Sequence, residues 1–262
     1  MPDWHLFRTF LTVVREGSLS SAARTLGTTQ PTMGRQVAAL EVAQRSASGE
    51  FGEAHGTVRI TVSDMVGSEV LPSILATIHA VHPRISVELA LSNRNEDLLR
   101  GDADIAVRMV RPTQGTLVAK RIGRIDVGLY GHRRYLKRHA MPRRLVDLRE
   151  HDLIGYDRDQ AYVRLLERMG VPTTRDMFAF RADSELAQLA ALRAGFGIGA
   201  SQLGIARRDK NLVPVLHSEF IYPMEVWLAM HRDLRNSRRI RLMFDQLATR
   251  LSVYAESSCF QK

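Results

Sequence analysis

The sequence is poor in cysteine, in aromatic residues and in long apolar runs. Cys259 is the single cysteine among 262 residues, so an internal disulfide and a cysteine-rich zinc site are excluded, and the cytoplasm is the expected compartment. Aromatic residues make up 6% of the chain, which argues against a stacking platform for single-stranded nucleic acid. No apolar run reaches ~18 residues, and the first residues lack the pattern of a signal peptide, so we expect no membrane association.

Motifs for catalysis, cofactors and metals are also missing. The sequence contains no G-x-S-x-G elbow, and the segment 195–199 (GFGIG) lacks the preceding strand and following helix of a dinucleotide-binding turn. Asp102 and Asp104 could share one face of a strand, but a turn explains them without a metal. His79 and His82 lie at a predicted helix end, with no carboxylate placed to complete a zinc site. We therefore expect no enzymatic activity, no cofactor and no metal.

Positive charge is what the sequence has in excess. The 37 Lys and Arg residues against 28 Asp and Glu give a net charge of +9 and an isoelectric point near 10.3. A basic balance of this size fits a polyanionic partner such as DNA. The densest basic segments are 120–144 and 232–241, where a solvated basic face explains the charge as well as a nucleic-acid contact does.

The first 41 residues have the periodicity of three helices. Apolar residues recur at helical spacing over 3–16, and Gly17 ends this segment. A short helix is predicted over 19–26 and a third over 30–40, with Pro31 in its first turn, where a missing amide hydrogen is tolerated. Two short helices joined by a glycine-containing turn form a helix-turn-helix, whose second helix would enter the major groove of DNA. An ordinary helical hairpin has the same spacing, so spacing alone leaves both interpretations open.

The residue string over these helices favours the DNA-binding interpretation. Segments 17–24 (GSLSSAAR) and 29–37 (TQPTMGRQV), with Leu40-Glu41, resemble the N-terminal domain of LysR-type transcriptional regulators. The resemblance implies double-stranded DNA as a partner, because glutamine can pair with adenine and arginine with guanine or phosphate. Gly34 stands where many family members carry serine, so a contact made there would be missing. The predicted DNA-binding residues are Ser18, Thr29, Gln30, Pro31, Thr32 and Arg35.

After Glu41 the sequence departs from the family pattern. Members of the family continue with a short strand pair, the wing, and then a long linker helix that forms the dimer. Here residues 42–51 lead almost at once to Gly56. The wing and most of the linker helix are therefore expected to be missing. We expect a homo-oligomer that assembles through the effector domains and is weakened by the missing helix.

Beyond this connector the pattern changes to alternating strands and helices. Residues 57–63 alternate with period two, and an amphipathic helix over 71–81 is stopped by His82-Pro83. The same order recurs along the chain, and short helices are predicted over 96–100 and 163–169. Alternation with short connections predicts an α/β domain with a parallel sheet and right-handed crossovers.

This second part also resembles a known domain. The segments 57–60 (TVRI), 98–108 (LLRGDADIAVR) and 194–199 (AGFGIG) are similar to the effector-binding domain of LysR-type regulators, which resembles periplasmic binding proteins. The resemblance implies two α/β subdomains that flank a cleft. The implied boundaries are 1–41 for the helix-turn-helix, 42–56 for a shortened linker and 57–256 for the effector domain, with subdomain I at about 57–123 and 226–255 and subdomain II at about 124–225.

Polar residues at the ends of the predicted strands are the candidates for a ligand site. Ligands of open α/β sheets bind outside the carboxyl ends of the strands. Ser68 and Ser184 are also expected near helix N-termini, which favour an anion, and Arg108 could add charge. Helix capping explains each serine by itself, so their shared position on one rim is the argument for a site. The predicted effector-binding residues are Ser63, Ser68, Ser92, Asn93, Met109, Arg111, Asp183, Ser184 and Ser201.

The sequence therefore predicts an all-α N-terminal helix-turn-helix followed by a two-subdomain, periplasmic-binding-protein-like α/β effector domain. The predicted function is a LysR-type regulator whose operator binding changes when a small organic acid or other anion binds in the cleft. Two alternatives stay open. Without a wing, the chain could be a DNA-binding-deficient interaction partner or antagonist, or it could be a cytoplasmic small-molecule binding module.

Overall fold

Three helices open the chain. The computed structural model describes residues 4–47, 54–93, 103–112, 116–159 and 174–260, and for residues 41–47 it describes the backbone alone. The helices are Trp4–Glu16 (α1), Leu19–Thr25 (α2) and Gln30–Ala47 (α3). The predicted helices over 96–100 and 163–169, and Asp102, lie outside the described residues.

The three helices pack around a small core of Ala22, Ala23 and Met33, which are nearly inaccessible to solvent. Gly17 and Gly27 follow α1 and α2 with φ angles of 69° and 63°, in the left-handed region that glycine enters at little cost. Ser18 then caps α2, because its hydroxyl accepts a hydrogen bond from the Ser21 amide at 3.1 Å. Local sequence therefore sets both turns of the helix-turn-helix.

Helix α3 extends seven residues beyond the predicted end at Leu40. It has 18 residues, which at 1.5 Å per residue makes it ~27 Å long. Residues 41–47 contain neither glycine nor proline, so nothing in the sequence stops the helix before Gly49. Between the end of α3 at Ala47 and the first strand at Gly56 the chain has only residues 48–55.

The remaining described residues build one nine-stranded sheet with helices packed around it. The strands are Gly56–Val62 (β1), Ile85–Leu91 (β2), Ile105–Arg108 (β3), Leu117–His132 (β4), Leu153–Gly155 (β5), Phe178–Arg181 (β6), Ile198–Gln202 (β7), Leu212–Val215 (β8) and Ile221–His231 (β9). The helices are Asp64–Glu69 (α4), Leu71–Val81 (α5), Arg133–Leu136 (α6), Glu185–Arg193 (α7), Leu203–Ala206 (α8) and Arg238–Ser257 (α9), with 3-10 turns at Leu145–Glu150, Arg175–Met177 and Arg232–Leu234. The strand order is β2-β1-β3-β9-β4-β7-β5-β6, and β8 also pairs with β4.

The prediction of a parallel sheet is correct at both ends of the sheet and wrong in its middle. Strand β1 pairs in parallel with β2 and β3, and β5 pairs in parallel with β6 and β7. In contrast, β9 is antiparallel to β3 and β4, and β4 is antiparallel to β7 and β8. The order of elements along the chain does not fix the direction of strands that pair over long sequence separations.

The two long strands β4 and β9 pass through both halves of the sheet and divide the α/β part into two subdomains. Near the start of β4, Leu117–Arg121 pair with the end of β9 beside β3. Gly123–Gly128 continue to pair with β9, and the last residues of β4, Val127–His132, pair with β7 and β8. The register shifts between Arg121 and Gly123, where the strands leave one subdomain and enter the other. Helix α9 buries Ile240 and Leu247 in the common core with Ile60 and Ile105. The predicted class, an all-α N-terminal part followed by a two-subdomain α/β domain, is confirmed.

Candidate functional site

The start of α3 is the exposed surface of the helix-turn-helix where the predicted DNA-binding residues lie. Thr29, Gln30, Pro31 and Arg35 are exposed, and Thr32 is half-buried. The Ser20 hydroxyl donates to Oε1 of Gln30 at 3.0 Å, which leaves the Gln30 amide group to face outward as a donor. The hydroxyls of Thr29 and Thr32 lie 2.9 Å apart, and the Arg35 guanidinium donates to the Thr32 hydroxyl at 3.4 Å. The structure thus brings five of the six predicted residues together on one surface.

Ser18 and Gln36 have structural roles beside this surface. The sixth predicted residue, Ser18, uses its hydroxyl to cap α2. Gln36, one residue after Arg35, turns inward, and its Oε1 accepts a hydrogen bond at 2.9 Å from the hydroxyl of Thr9, which is fully buried on α1. This bond fixes α3 against α1 and so orients the exposed face of α3.

Exposed arginines lie on all three helices of the helix-turn-helix. Arg8, Arg15 and Arg24 are exposed on α1 and α2, and Arg35 is exposed on α3. Guanidinium groups donate to phosphate oxygens, which position a protein on a duplex without reading its sequence. Exposed amide and hydroxyl groups at a helix N-terminus can read base edges in the major groove. The arrangement supplies both kinds of contact.

A cavity of about 580 Å³ lies where the ends of β1, β2 and β3 face strands of the second subdomain. Its polar end contains Ser63, Ser92, Asn93 and Arg108, which follow or end these three parallel strands. The Ser92 amide donates to the Val62 carbonyl oxygen at 2.8 Å, so the ends of β1 and β2 are held side by side. The cavity is therefore bounded at this end by groups that form hydrogen bonds.

Ser63 occupies the N-cap position of α4, but its hydroxyl makes no capping hydrogen bond. Instead Oδ1 of Asn93 accepts a hydrogen bond from the Asp64 amide at 3.3 Å. Arg108 is buried, and its guanidinium donates to the Thr61 hydroxyl at 3.0 Å and to the Val107 carbonyl oxygen at 3.1 Å. These bonds hold a cationic group and a hydroxyl at the same end of the cavity.

Six of the nine predicted effector-binding residues line this cavity, namely Ser63, Ser92, Asn93, Met109, Asp183 and Ser201. The other three lie elsewhere. Ser68 is exposed near the C-terminal end of α4, three residues before α5 begins at Leu71. Ser184 caps α7 by accepting from the Ala187 amide at 3.3 Å. The Arg111 guanidinium lies 5.5 Å from the ring centroid of Trp227, a cation–π distance.

Asp183 lines the cavity, but its carboxylate already forms hydrogen bonds with the backbone of a loop. Its carboxylate accepts hydrogen bonds from the amides of Arg158 at 2.9 Å, Asp159 at 3.1 Å and Asp157 at 2.9 Å. These bonds to the Arg158 and Asp159 amides lower the pKa of Asp183 below its ordinary value, so the group stays negatively charged. A ligand contact by Asp183 stays a prediction, and its negative charge would repel the anionic group of a ligand.

The opposite wall of the cavity is apolar and was not predicted from the sequence. Val127 and Leu129 on β4 and Tyr222 and Met224 on β9 line it, together with Ile154 on β5. In each of the two long strands the lining residues are two positions apart, so they point to one face of the sheet. This alternation is a signal that the sequence contains, but it does not tell which face meets the ends of β1 and β2.

The described residues contain no group of three or more His, Cys, Asp or Glu that could hold a metal ion. Of the residues weighed for a metal, Asp104 is buried and accepts a hydrogen bond from the Arg59 amide at 2.9 Å. Among the helices that the structure describes, none has the length and apolar character needed to cross a membrane.

Comparisons with known proteins agree with this architecture. The family model for bacterial regulatory helix-turn-helix proteins of the lysR family matches residues 4–44, and the model for the LysR substrate binding domain matches residues 51–252. A protein from Klebsiella pneumoniae, named "Probable HTH-type transcriptional regulator LtrA", is 26% identical over 292 aligned positions that cover 95% of this chain and 94% of LtrA.

Solved structures of LysR-type regulators have the same fold. CrgA, a LysR-type transcriptional regulator from Neisseria meningitidis, superposes with a TM-score of 0.69 at 18% identity, covering 96% of this chain and 99% of CrgA. Full-length CbnR, solved in complex with its target DNA, superposes with a TM-score of 0.58 at 17% identity, covering 95% of this chain and 99% of CbnR. The family models together span most of the sequence, and the chain belongs to the LysR family of bacterial helix-turn-helix transcriptional regulators and carries the substrate-binding domain of that family.

Proposed function

We propose that this regulator binds operator DNA through the exposed start of α3 and that a small amphipathic carboxylate in the cavity controls this binding. The observation that carries the proposal is the division of the cavity into a polar end with Ser63, Ser92 and Arg108 and an apolar wall. A carboxylate would accept hydrogen bonds at the polar end, and a hydrocarbon or aromatic body would cover the apolar wall.

Groups with defined chemistry support the DNA-binding half of this proposal. The outward amide of Gln30 matches the pattern of an adenine edge, and the Arg35 guanidinium matches guanine or phosphate. Arg8, Arg15 and Arg24 are exposed, and we expect them to contact phosphates. CbnR, which has the same fold, was solved with its target DNA.

The ligand half of the proposal rests on charge and shape. Arg108 supplies a positive charge at the polar end, whereas the carboxylates of Asp159, Asp183 and Glu185 lie along the second subdomain. This separation favours one orientation, with the carboxylate of the ligand toward Arg108 and its apolar body toward β4 and β9. A large polyanion would meet the acidic groups, so we propose a monocarboxylic acid with an apolar body.

Ligand binding would change the affinity for operator DNA by changing how the two subdomains are placed relative to each other. The cavity has one side on the first subdomain and the other on the second, and β4 and β9 connect them. A ligand that contacts both sides stabilises one relative placement, and this difference in free energy is what shifts an equilibrium between two states. The same free energy must appear as a change in DNA affinity if the two placements bind the operator differently.

The connector supports the proposal that the wing and most of the linker helix are missing. Residues 48–55 are too few for a strand pair and a long helix between α3 and β1. The alignment with LtrA covers 292 positions, 30 more than the 262 residues of this chain, so LtrA has segments without a counterpart here. We therefore expect weaker binding to a palindromic operator than a chain with a full linker helix would show.

Arg35→Ala tests the DNA-binding half. Duplexes selected from a random pool with the purified protein serve as probes, and fluorescence anisotropy gives the affinity. We expect a loss of ~1–3 kcal/mol for Arg35→Ala if the guanidinium reads a base. The control is Arg238→Ala, which removes an exposed arginine at the start of α9. Equal losses in both variants would mean that Arg35 contributes only general charge. A failure to select any duplex would favour the DNA-binding-deficient antagonist.

Ser63→Ala and Ser92→Ala test the ligand half. Because the Ser63 hydroxyl does not cap α4, its removal should leave the helix intact. A thermal-shift screen of aromatic and alkyl monocarboxylates should find a stabilising ligand, since a ligand at ~100 times its dissociation constant adds ~2.7 kcal/mol. Both variants should lose most of that shift. Ser68→Ala is the matched control, because Ser68 is exposed outside the cavity and should retain the shift. A shift lost equally in all three variants would place the ligand elsewhere.

A further inference from the structure

A strongly basic surface lies in the second subdomain, where β4 ends and α6 begins. The segment 132–144 (HRRYLKRHAMPRR) contains six lysine or arginine residues and neither aspartate nor glutamate. All six are exposed, and their charges equal two-thirds of the net charge of +9 of the whole chain. We call these six residues the basic tip, namely Arg133, Arg134, Lys137, Arg138, Arg143 and Arg144.

A buried cluster holds both ends of this segment together. Tyr135 is buried with Leu148, and Leu136 and Leu145 pack against the same cluster. The ring of His139 stacks on the ring of Tyr135 with centroids 4.2 Å apart. The first four cations of the basic tip and the last two therefore flank one common core.

Two carboxylates lie beside the basic tip, and backbone amides hold both of them. Asp147 accepts hydrogen bonds from the amides of Arg143 and Arg144, each at 3.0 Å, and lies 3.4 Å from the Arg144 guanidinium. Oε2 of Glu219 accepts a hydrogen bond from the Leu145 amide at 3.1 Å. Among the described residues, Arg144 is the one member of the basic tip that forms an ion pair. The surface therefore has a local excess of positive charge.

Arg133 and Arg134 are oriented without being neutralised. The Arg133 guanidinium donates to the Lys210 carbonyl oxygen at 3.0 Å, and the Arg134 guanidinium donates to the Ala194 carbonyl oxygen. A carbonyl oxygen carries no net charge, and each guanidinium has five N–H donors, so both groups retain donors for an anion. The Lys210 side chain is exposed and adds one more cation beside Arg133.

The chemistry of the basic tip fits the phosphate backbone of double-stranded DNA. A duplex carries one negative charge per ~1.7 Å of its axis, and lysine and arginine bind its phosphates by displacing counterions. The core of a protein–protein interface is instead poor in charge and rich in aromatic residues. In the basic segment Tyr135 is buried, and Met141 is the one large apolar side chain that is exposed. A duplex therefore matches this surface better than an acidic protein does.

We propose that the basic tip is a second DNA-binding surface, which contacts phosphates without reading the sequence. It is separate from the start of α3. The 3-10 turn Arg232–Leu234, which follows β9, lies against α3, and the end of β9 pairs with the start of β4. From there the 16 residues of β4 span on the order of 50 Å to the basic tip. Binding by the tip requires neither operator recognition by α3 nor a ligand in the cavity.

The salt dependence of non-specific DNA affinity tests the proposal. The full chain is titrated against a labelled duplex of ~40 base pairs and arbitrary sequence, in about 50–300 mM KCl, and fluorescence anisotropy gives the affinity. Each phosphate contact contributes about −0.9 to the slope of log affinity against log salt concentration. The double variant Lys137→Gln, Arg138→Gln removes two exposed charges, so its slope should be less negative by ~2.

The matched control is Lys120→Gln with Arg241→Gln, which removes the same charge at two exposed positions outside the basic tip. Its slope should equal that of the wild-type protein. Arg143→Gln is an independent variant, whose slope should be less negative by ~1, and it covers the case in which the double variant unfolds. Circular dichroism checks the fold of every variant.

The ratio of affinities for a selected and an arbitrary duplex reports on α3 separately. This ratio should be unchanged in the tip variants, because phosphate contacts carry no sequence information. Reduced slopes in both tip variants and a wild-type slope in the control support the proposal. An unchanged slope in the folded tip variants overturns it and would favour an acidic protein as the partner of this surface. An equal reduction in the tip and control variants overturns it as well, since net charge alone would then explain the binding.

Discussion

An ion pair between Glu69 and Arg193 joins the two subdomains, and its removal gives a sharp test of how they are held together. Glu69 at the end of α4 accepts hydrogen bonds from both terminal nitrogens of Arg193 on α7, at 2.8 and 2.7 Å. Arg208 donates to the Glu69 carbonyl oxygen at 2.5 Å. The hydrogen bond from Arg193 lowers the pKa of Glu69 below its ordinary value of 4.5. The pair therefore favours the charged carboxylate and holds α4 against α7.

The expected coupling free energy between Glu69 and Arg193 follows from the geometry of their hydrogen bonds and from the exposure of both side chains. Hydrogen bonds to charged groups contribute ~1.5–3 kcal/mol when they are well formed. The Glu69 side chain is 22% exposed and the Arg193 side chain 36% exposed, so solvent screening reduces this to a coupling of ~1–2 kcal/mol. The pair Arg121–Glu225, between β4 and β9, has a similar N···O distance of 2.8 Å but is about half exposed on both sides. We expect a weaker coupling there, because solvent screens an exposed ion pair.

A double-mutant cycle measures both couplings. The variants are Glu69→Gln, Arg193→Met and their combination, with Glu225→Gln, Arg121→Met and their combination as the control cycle. Urea unfolding at pH 7 gives the free energy of unfolding of each protein. A coupling for Glu69 and Arg193 no larger than that of the control pair would refute the argument that burial makes this ion pair strong.

The same cycle has a defined pH dependence. A carboxyl whose pKa is lowered in the folded state stabilises the fold at any pH above its ordinary pKa. This contribution is lost as the pH falls through the lowered pKa. The Glu69–Arg193 coupling should therefore be constant above pH ~5.5 and decrease below pH ~4.5. A coupling that stays constant down to pH ~3 would contradict a carboxylate held by Arg193.

Two further predictions concern stability. Gly34→Ala in α3 should raise the free energy of unfolding by ~0.5–1 kcal/mol, because the added Cβ meets no atom within 4 Å and alanine favours a helix. Gly197→Ala should lower it by ~1–3 kcal/mol or more, because the added Cβ would overlap the Asp152 carbonyl oxygen in the backbone. Thermal and urea unfolding check both, and two changes of the same sign would contradict the packing described. Burial, and secondarily the nearby His139, lowers the pKa of His151 below its ordinary value of 6.5. The free energy of unfolding should therefore decrease as pH falls below 6.5. In unfolding curves between pH ~5 and ~7.5, His151→Gln should make this pH dependence weaker, whereas His79→Gln, at an exposed position, should leave it unchanged.

The sequence alone determined the helix-turn-helix, because its signals are local. Gly17 and Gly27 adopt the left-handed conformation that ends a helix, and Ser18 caps the helix that follows. Each of these interactions joins residues within a few positions of each other, so the residue string is enough to predict them. The end of α3 was the exception, since no stop signal occurs at Leu40 and the helix runs on to Ala47.

The sequence also located the polar end of the cavity. Ser63, Ser92 and Met109 each follow a strand, and the carboxyl ends of parallel strands meet at one edge of a sheet. This rule needs only the order of strands along the chain. It therefore identified the first side of the cavity, although it gave no way to exclude Ser68 or Arg111, whose side chains lie elsewhere.

Only the tertiary structure decided the second side of the cavity and the contacts between the subdomains. Val127 and Tyr222 become neighbours through the antiparallel pairing of β4 and β9, which are almost a hundred residues apart along the chain. Glu69 and Arg193 are separated by 124 positions, and no local pattern of charge marks them as partners. The three backbone amides that donate to Asp183 likewise come from a loop about 25 residues earlier in the chain, which no local pattern indicates. Strand direction and register depend on packing summed over the whole core, so a single sequence does not specify them residue by residue.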